Sequence, residues 1–282
     1  MNIQFENINC PFCSLNDGTV WAIENGFSAV KCNHCGFIYV NPRPARTLIK
    51  DSVEGGMHTY LEKPRSKRTR RIKKKVGIYR NLLKNLIDDV IAEGIPIRWL
   101  DVGAGYGEIV QAATLIAPPN SYVEGIEPML FKAARARNTG LNVKSGYLDE
   151  VETKFNVISF INVFSHIDDI NRFFKKCNEL LLDSGQLIIE TGNIADLKSP
   201  VETLGELDLP DHLMFAGEKH VEGLLEKYGF KIIKKNIQRR DTFTNFAKSL
   251  IKKLLGRQTR ITLPYTSNYR ALIFRAQKIS QV

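Results

Sequence analysis

Trp99-Leu100-Asp101-Val102-Gly103-Ala104-Gly105-Tyr106-Gly107-Glu108 is the stretch that decides how this chain reads. An apolar run reaches three glycines at alternate positions and then enters a segment of helical pattern. Glycine lets the backbone turn sharply and approach a ligand closely. The first N–H groups of the following helix have no partner inside that helix. Twenty residues beyond Gly107, at the end of the next strand-like piece, stands Glu127. A carboxylate there can accept both hydroxyls of a ribose. The spacing G-x-G-x-G differs from the G-x-G-x-x-G of dinucleotide sites, and Glu108 at the helix start disfavours a pyrophosphate. No G-K-S or G-K-T sequence is present, which excludes an ATP-type phosphate loop. The loop suits a nucleoside ligand that carries no phosphate.

Outward from the loop, strand-like pieces recur at 97–102, 121–126, 141–145, 155–161 and 185–191, with helical stretches between them, as from Tyr106 and Asp169. That alternation predicts an α/β fold with a parallel sheet covered on both faces. Two further pieces, 229–238 and 268–277, close the sheet. The insert between them, 241–266, holds an amphipathic basic helix from Phe243 to Gly256 that is expected to pack on the sheet edge; contact with a membrane surface or an anionic acceptor is the other reading. Upstream, Ile72, Val76, Tyr79, Leu82, Leu83, Leu86, Ile87 and Val90 recur at three- and four-residue steps and so share one helix face. The chain divides into a metal-binding module (1–42), a basic linker and amphipathic helix (43–93) and the ligand-binding α/β domain (94–282).

Cys10-Pro11-Phe12-Cys13 and Cys32-Asn33-His34-Cys35 are two CxxC pairs separated by eighteen residues. Each tight turn offers two thiolates, and two such turns complete a tetrahedral zinc site of the zinc-ribbon-like kind. Cys10, Cys13, Cys32 and Cys35 are the expected ligands. Four thiolates leave no open position for water, so the zinc is structural. A segment this small builds no core of its own, and the metal supplies its folding energy. Cys177 stands alone and reads as a small core residue. The N-terminus lacks a basic stretch followed by an apolar one, and no run of eighteen apolar residues occurs. A cytoplasmic protein without a membrane span is expected.

Over about residues 95–240 the sequence resembles the class I S-adenosylmethionine-dependent methyltransferases. Asp101, Gly103, Gly105 and Gly107 carry the resemblance, with Glu127-Pro128, FNVISFINVFSHIDD (155–169) and GQLIIETGN (185–193). It implies a Rossmann-like sheet, mostly parallel with an antiparallel last strand, and S-adenosylmethionine as cofactor. It places Asp101, Gly103, Ala104, Gly105 and Gly107 around the methionine part, Glu127 and Pro128 at the ribose, Gly146, Tyr147 and Leu148 beside the adenine, and Asn162 at the end of strand four. The Cys pairs followed by the GF-x-Y-x-NPRP stretch (36–44), and later His212-Leu213-Met214-Phe215, resemble a bacterial subgroup of sugar and polysaccharide pathways.

That resemblance predicts a small polar acceptor, sugar-like or anionic, methylated on oxygen or carbon; the alternative is an RNA methyltransferase. Removing a proton from a hydroxyl or an acidic C–H calls for a base. His166, after strand four, and His212, on the segment expected to close over the acceptor, are the candidates, because the imidazole pKa suits proton removal near neutrality. Asp168 and Asp169 read instead as caps of the next helix. No Asn/Asp-Pro-Pro-Tyr tetrad and no cysteine follow strand four, which argues against methylation of a base amine and against the covalent route to 5-methyl pyrimidines. The net charge of +10 points to acidic partners. Lys63 to Lys75 supplies nine Lys or Arg and no acid, either as a solvated helix start or as a cradle for a phosphate-bearing acceptor or RNA. His58 and Tyr60, in a glycine-containing loop just before it, are candidates for a lid.

Overall fold

The computed structural model describes residues 4–55, 65–203, 206–256, 261 and 263–279, with backbone alone for 65–71. His58, Tyr60 and Lys63 lie outside the described residues. The N-terminal strands are β1 (Phe5–Glu6), β2 (Gly18–Glu24), β3 (Phe27–Cys32), β4 (Ile38–Val40) and β5 (Arg43–Pro44). β1 pairs with β5, while β2, β3 and β4 form an antiparallel meander. Asn25 and Gly26 join β2 to β3 with φ of 53° and 81°, the left-handed pair that a tight hairpin requires. Three helices follow: α1 (Arg46–Gly55), α2 (Arg65–Leu86) and α3 (Asp88–Ala92).

The alternating region supplies β6 (Arg98–Val102), α4 (Glu108–Thr114), β7 (Tyr122–Glu127), α5 (Leu130–Arg137), β8 (Val143–Ser145), β9 (Phe155–Ile161), α6 (Ile170–Leu180) and β10 (Leu181–Gly192). It ends with β11 (Met214–Phe215), α7 (Glu218–Lys227), β12 (Phe230–Arg239), α8 (Phe243–Leu254) and β13 (Arg270–Lys278). Seven strands form one sheet in the order β12-β13-β10-β9-β6-β7-β8. The run from β8 to β10 is parallel, and β13 is antiparallel to both its neighbours. This is the Rossmann-like sheet expected, with its last strand reversed.

The sheet is buried on both faces, so its inner strands are apolar at successive positions. Trp99, Val157, Ile161 and Ile188 pack against Val76, Leu83, Leu86 and Ile87, the stripe read in the sequence, and against Ile109 and Ala112 of α4. The stripe bends: Ile87 has φ −128° and ends α2, so Val90 belongs to α3. From Arg65 onward the basic run forms the first turns of α2. On the opposite face Leu100, Ile158, Phe160, Leu187 and Ile189 pack with Phe174 of α6 and Leu224 of α7, and the same cluster takes in Phe37 and Tyr39. Cys177 is fully buried there.

Two features depart from expectation. β11, far along the chain, pairs with β4 and becomes the fourth strand of the N-terminal sheet. Segments 1–42 and 94–282 therefore share a sheet as well as a core cluster. The helix in the insert does not pack on the sheet edge: no residue of α8 is buried. The edge strand β12 is largely exposed along its length and carries Lys231, Lys234 and Lys235, which guard it against strand addition.

Candidate active site

The glycine loop caps β6 in the middle of the sheet, at the C-terminal end of the strands, where open α/β sheets place their ligands. Gly103 and Gly107 hold φ of 69° and 82°. A Cβ at Gly103 would lie 2.5 Å from Cγ2 of Val163, and one at Gly107 would lie 2.4 Å from Cδ1 of Leu141. The left-handed backbone disfavours a side chain at both sites, and at Gly103 the β-branched Val163 leaves little space for one. Glu127, buried at the end of β7, fastens the loop: Gly105 N–H donates to its Oε2 at 2.7 Å and Met129 N–H to its Oε1 at 3.0 Å. Asp101 sits beneath. Its Oδ1 accepts from Ser159 Oγ at 2.7 Å, and that oxygen accepts from Trp99 Nε1 at 3.0 Å. Burial, reinforced by Glu108 and Glu127 nearby, pushes the Asp101 carboxyl well above the usual range.

Against the loop lies a cavity of about 540 Å³. Gly103, Pro128, Gly146, Tyr147 and Leu148 line it. Ala104, Gly105, Gly107 and Glu127 build the loop and strand end behind that wall, and Asp101 lies below. Helix α1 forms one side through Ile49, Lys50 and Val53, and the Lys50 ammonium stands 5.0 Å from the centre of the Tyr147 ring. A second cavity, of about 510 Å³, is lined by Ser52, Asp208, Asp211 and His166. His166, Ile49 and Val53 are common to both cavities.

His166 and His212 are brought together, their ring centres 4.6 Å apart. His166 Nδ1 lies 3.1 Å from the Asp211 carbonyl oxygen, and His212 Nδ1 lies 2.7 Å from that of Leu207. A carbonyl only accepts, so each Nδ1 carries a proton on that side. Burial, then the neighbouring His166, lowers the His212 pKa and keeps it neutral. Asp169 caps α6 as expected, accepting from Arg172 N–H at 3.0 Å, and Asp168 pairs with Arg46.

A family model described as a methyltransferase domain matches residues 65–235. The chain belongs to that family. Together with the sheet and loop, this makes it an S-adenosylmethionine-dependent methyltransferase. No curated protein matches it. Among solved structures it is similar to a candidate sarcosine dimethylglycine methyltransferase from Galdieria sulphuraria: identity is 15%, 69% of this chain and 83% of that one are covered, and the TM-score is 0.53. It is similar also to the magnesium protoporphyrin IX methyltransferase of Synechocystis, solved with bound SAM (13%, 82% and 96%, TM-score 0.47). A third is an S-adenosylmethionine-dependent methyltransferase from Mesorhizobium loti (17%, 67% and 96%, TM-score 0.46). At such identities the likeness concerns the fold alone.

In this methyltransferase Asn162 does not face the first cavity. Its φ is 58°, and it lines a third cavity of about 490 Å³ between α2 and β12, with Tyr79, Glu190 and Arg240. The left-handed turn straight after β9 directs it to the α2 face, where it bonds Tyr79. Burial and the acids Glu190 and Glu108 push the Tyr79 hydroxyl up to about 12. Burial raises the Glu190 carboxyl, and its partner Arg240 counters the shift. No motif announced this cluster, because its members come from four separate elements.

The four paired cysteines converge. Cys10 Sγ lies 3.6 Å from Cys35 Sγ, and Cys13 Sγ lies 3.6 Å from Cys32 Sγ. Four sulfurs about 2.3 Å from a tetrahedral ion lie at nearly that mutual spacing, so the donor set fits zinc. His220 of α7, which the sequence reading passed over, locks the module in place. Its Nδ1 accepts from Gly217 N–H, its Nε2–H donates to the Cys35 carbonyl at 2.9 Å, and its ring meets Phe12 and Phe37 edge-on.

Proposed function

We propose that this methyltransferase moves a methyl group from S-adenosylmethionine, held in the cavity beside the glycine loop, to a small polar acceptor in the adjoining cavity, with His166 as general base. The acceptor is a sugar or sugar nucleotide. The observation that carries the proposal is that His166 is the titratable side chain common to both cavities. S-adenosylmethionine supplies a methyl already activated on a sulfonium, so the protein has to align the reactants, exclude water and take up a proton. Glu127 accepts the ribose hydroxyls, and Gly146 to Leu148 flank the adenine. Asp208 and Asp211 accept from acceptor hydroxyls, a lining that favours a sugar face over an anion. As the acceptor oxygen or carbon bonds the methyl carbon and the carbon–sulfur bond breaks, the acceptor proton passes to Nε2 of His166. The thioether product leaves uncharged at sulfur.

Cys10, Cys13, Cys32 and Cys35 hold one structural zinc, and a cytoplasmic setting keeps their thiols reduced for it. RNA is the alternative acceptor, and steeply salt-dependent binding of total RNA would favour it.

The test is turnover on a panel of nucleotide sugars, with the methylated product identified by mass spectrometry. His166→Ala lowers turnover by about 10²-fold or more while S-adenosylhomocysteine affinity stays the same. The pH dependence of turnover should differ between the wild type and the variant, provided methyl transfer limits the rate. Full activity with an unaltered profile overturns the assignment of the base.

A further inference from the structure

The insert between β12 and β13 takes no part in the cavities beside His166: none of its described residues lines either one. Its helix, α8, is nonetheless strongly patterned. Phe243, Phe246, Ala247, Leu250, Ile251 and Leu254 recur at three- and four-residue steps and occupy one face. That face is bare. Leu254 is 79% exposed, Phe243 63% and Ile251 58%, and Leu255 beside them is 67% exposed. Lys248, Lys252 and Lys253 share the remainder of the helix surface with Thr244, Asn245 and Ser249, with lysines on both sides of the apolar arc. The charge pattern extends past the helix: from Thr242 to Tyr269, ahead of β13, the sequence holds five Lys or Arg and no Asp or Glu.

We propose that α8 lies in the headgroup region of an anionic lipid bilayer, its apolar face toward the acyl chains and its lysines on the lipid phosphates. A helix of this composition reaches its lowest free energy at such a boundary, where apolar burial and charge attraction act together. RNA would satisfy the lysines and leave Phe243, Ile251 and Leu254 in water. A second copy of the chain would cover the apolar face but bring two acid-free basic segments side by side, where they repel. A bilayer surface satisfies both faces. At twelve residues the helix is about 18 Å long, too short to cross a membrane, and no helix among the described residues is long and apolar enough to do so. The enzyme is thereby held at the surface by a helix remote from its chemistry.

Co-sedimentation of the full chain with vesicles tests this. Vesicles of phosphatidylcholine mixed with phosphatidylglycerol should carry the protein down, and vesicles of phosphatidylcholine alone should bind it about tenfold less or weaker. Replacing Lys248, Lys252 and Lys253 by Gln should weaken binding by roughly fivefold per lysine. Leu250→Glu with Leu254→Glu should weaken it by about tenfold or more while leaving S-adenosylhomocysteine binding and the melting temperature unchanged, because both side chains are exposed. Absence of binding to the mixed vesicles overturns the proposal, as does binding that neither variant weakens. A dimer in gel filtration that Leu254→Glu splits would assign the face to a second copy instead.

Discussion

Glu127 is where the donor site is most exposed to a quantitative test. Its two oxygens already accept from Gly105 N–H at 2.7 Å and Met129 N–H at 3.0 Å, so the carboxylate is held in one orientation before any ribose arrives. Glu127→Ala removes the acceptor proposed for the ribose hydroxyls. A hydrogen bond to a charged group contributes about 1.5–3 kcal/mol, which corresponds to a rise of roughly 10- to 150-fold in the Kd for S-adenosylhomocysteine. Glu127→Gln is the sharper perturbation. Each oxygen faces a backbone N–H, so the glutamine NH2 must oppose one of them, donor against donor, whichever way the amide is turned. The amide variant should therefore lose about tenfold or more despite its near-identical shape. Calorimetric titration with S-adenosylhomocysteine reads both losses, and urea denaturation of the unliganded variants shows whether the loop itself has loosened. Unchanged affinity in both variants would refute the placement of the ribose at Glu127, and tight NAD binding by the wild type would refute the donor.

Gly103→Ala combines a left-handed residue with a Cβ 2.5 Å from Val163. Backbone strain of about 1–2 kcal/mol and overpacking of about 1–3 kcal/mol predict a loss of roughly 2–5 kcal/mol in urea denaturation; a loss below about 1 kcal/mol contradicts the close contact. Elemental analysis should find one zinc per chain, lost in Cys32→Ser with the glycine-loop sheet still folded; iron, or no metal in the wild type, sinks the assignment. His212 is held neutral by burial, whereas the unfolded chain protonates it below about pH 6.5. Its contribution is thus fully present above that pH and is lost as pH falls toward the lowered folded pKa. The melting temperature should drop on acidification, and less steeply in His212→Asn; equal slopes would show that His212 titrates as it does in the unfolded chain.

Local pattern was enough for much of the architecture. The strand pieces appear in the sequence as apolar runs because their side chains are buried on both sheet faces, and the α2 stripe appears because one helix face meets the sheet. The glycine loop was legible because its alternate positions hold left-handed backbone, which favours glycine. What stayed hidden depends on contacts between distant residues. β11 is two residues long, too short for any periodicity, and exists as a strand only because β4 presents an open edge. Asn162 was expected near the donor, but one left-handed residue after β9 sends it to the α2 side. The wall formed by α1 carries no motif, since lining a cavity asks only for Ile49, Lys50 and Val53 at helical spacing. The amphipathic pattern of α8 was visible, but it shows that a face exists and not what the face meets.

The order of contacts from the cysteines to the histidines gives the N-terminal module a reason to be present. The thiols lie on two turns, one between β1 and β2 and one joining β3 to β4. The Val40 N–H, at the end of β4, donates to the Leu213 carbonyl at 2.9 Å, and the Leu213 N–H donates to the Ser165 carbonyl at 2.7 Å. Leu213 is thus stitched between the module and the turn that carries His166, and His212 and Asp211, its neighbours in sequence, are carried against His166. His220 fixes the same knuckle from α7 through the Cys35 carbonyl. A module that served only to bind metal would need none of these links to the end of β9. Loosening the knuckles should therefore reach the second cavity, beside His166, before it reaches the glycine loop, which is fastened separately by Glu127. In Cys32→Ser, S-adenosylhomocysteine affinity should hold while turnover falls. Equal loss of both would mean that the module stabilises the whole sheet, and loss of neither would mean that β11 keeps its place without the metal.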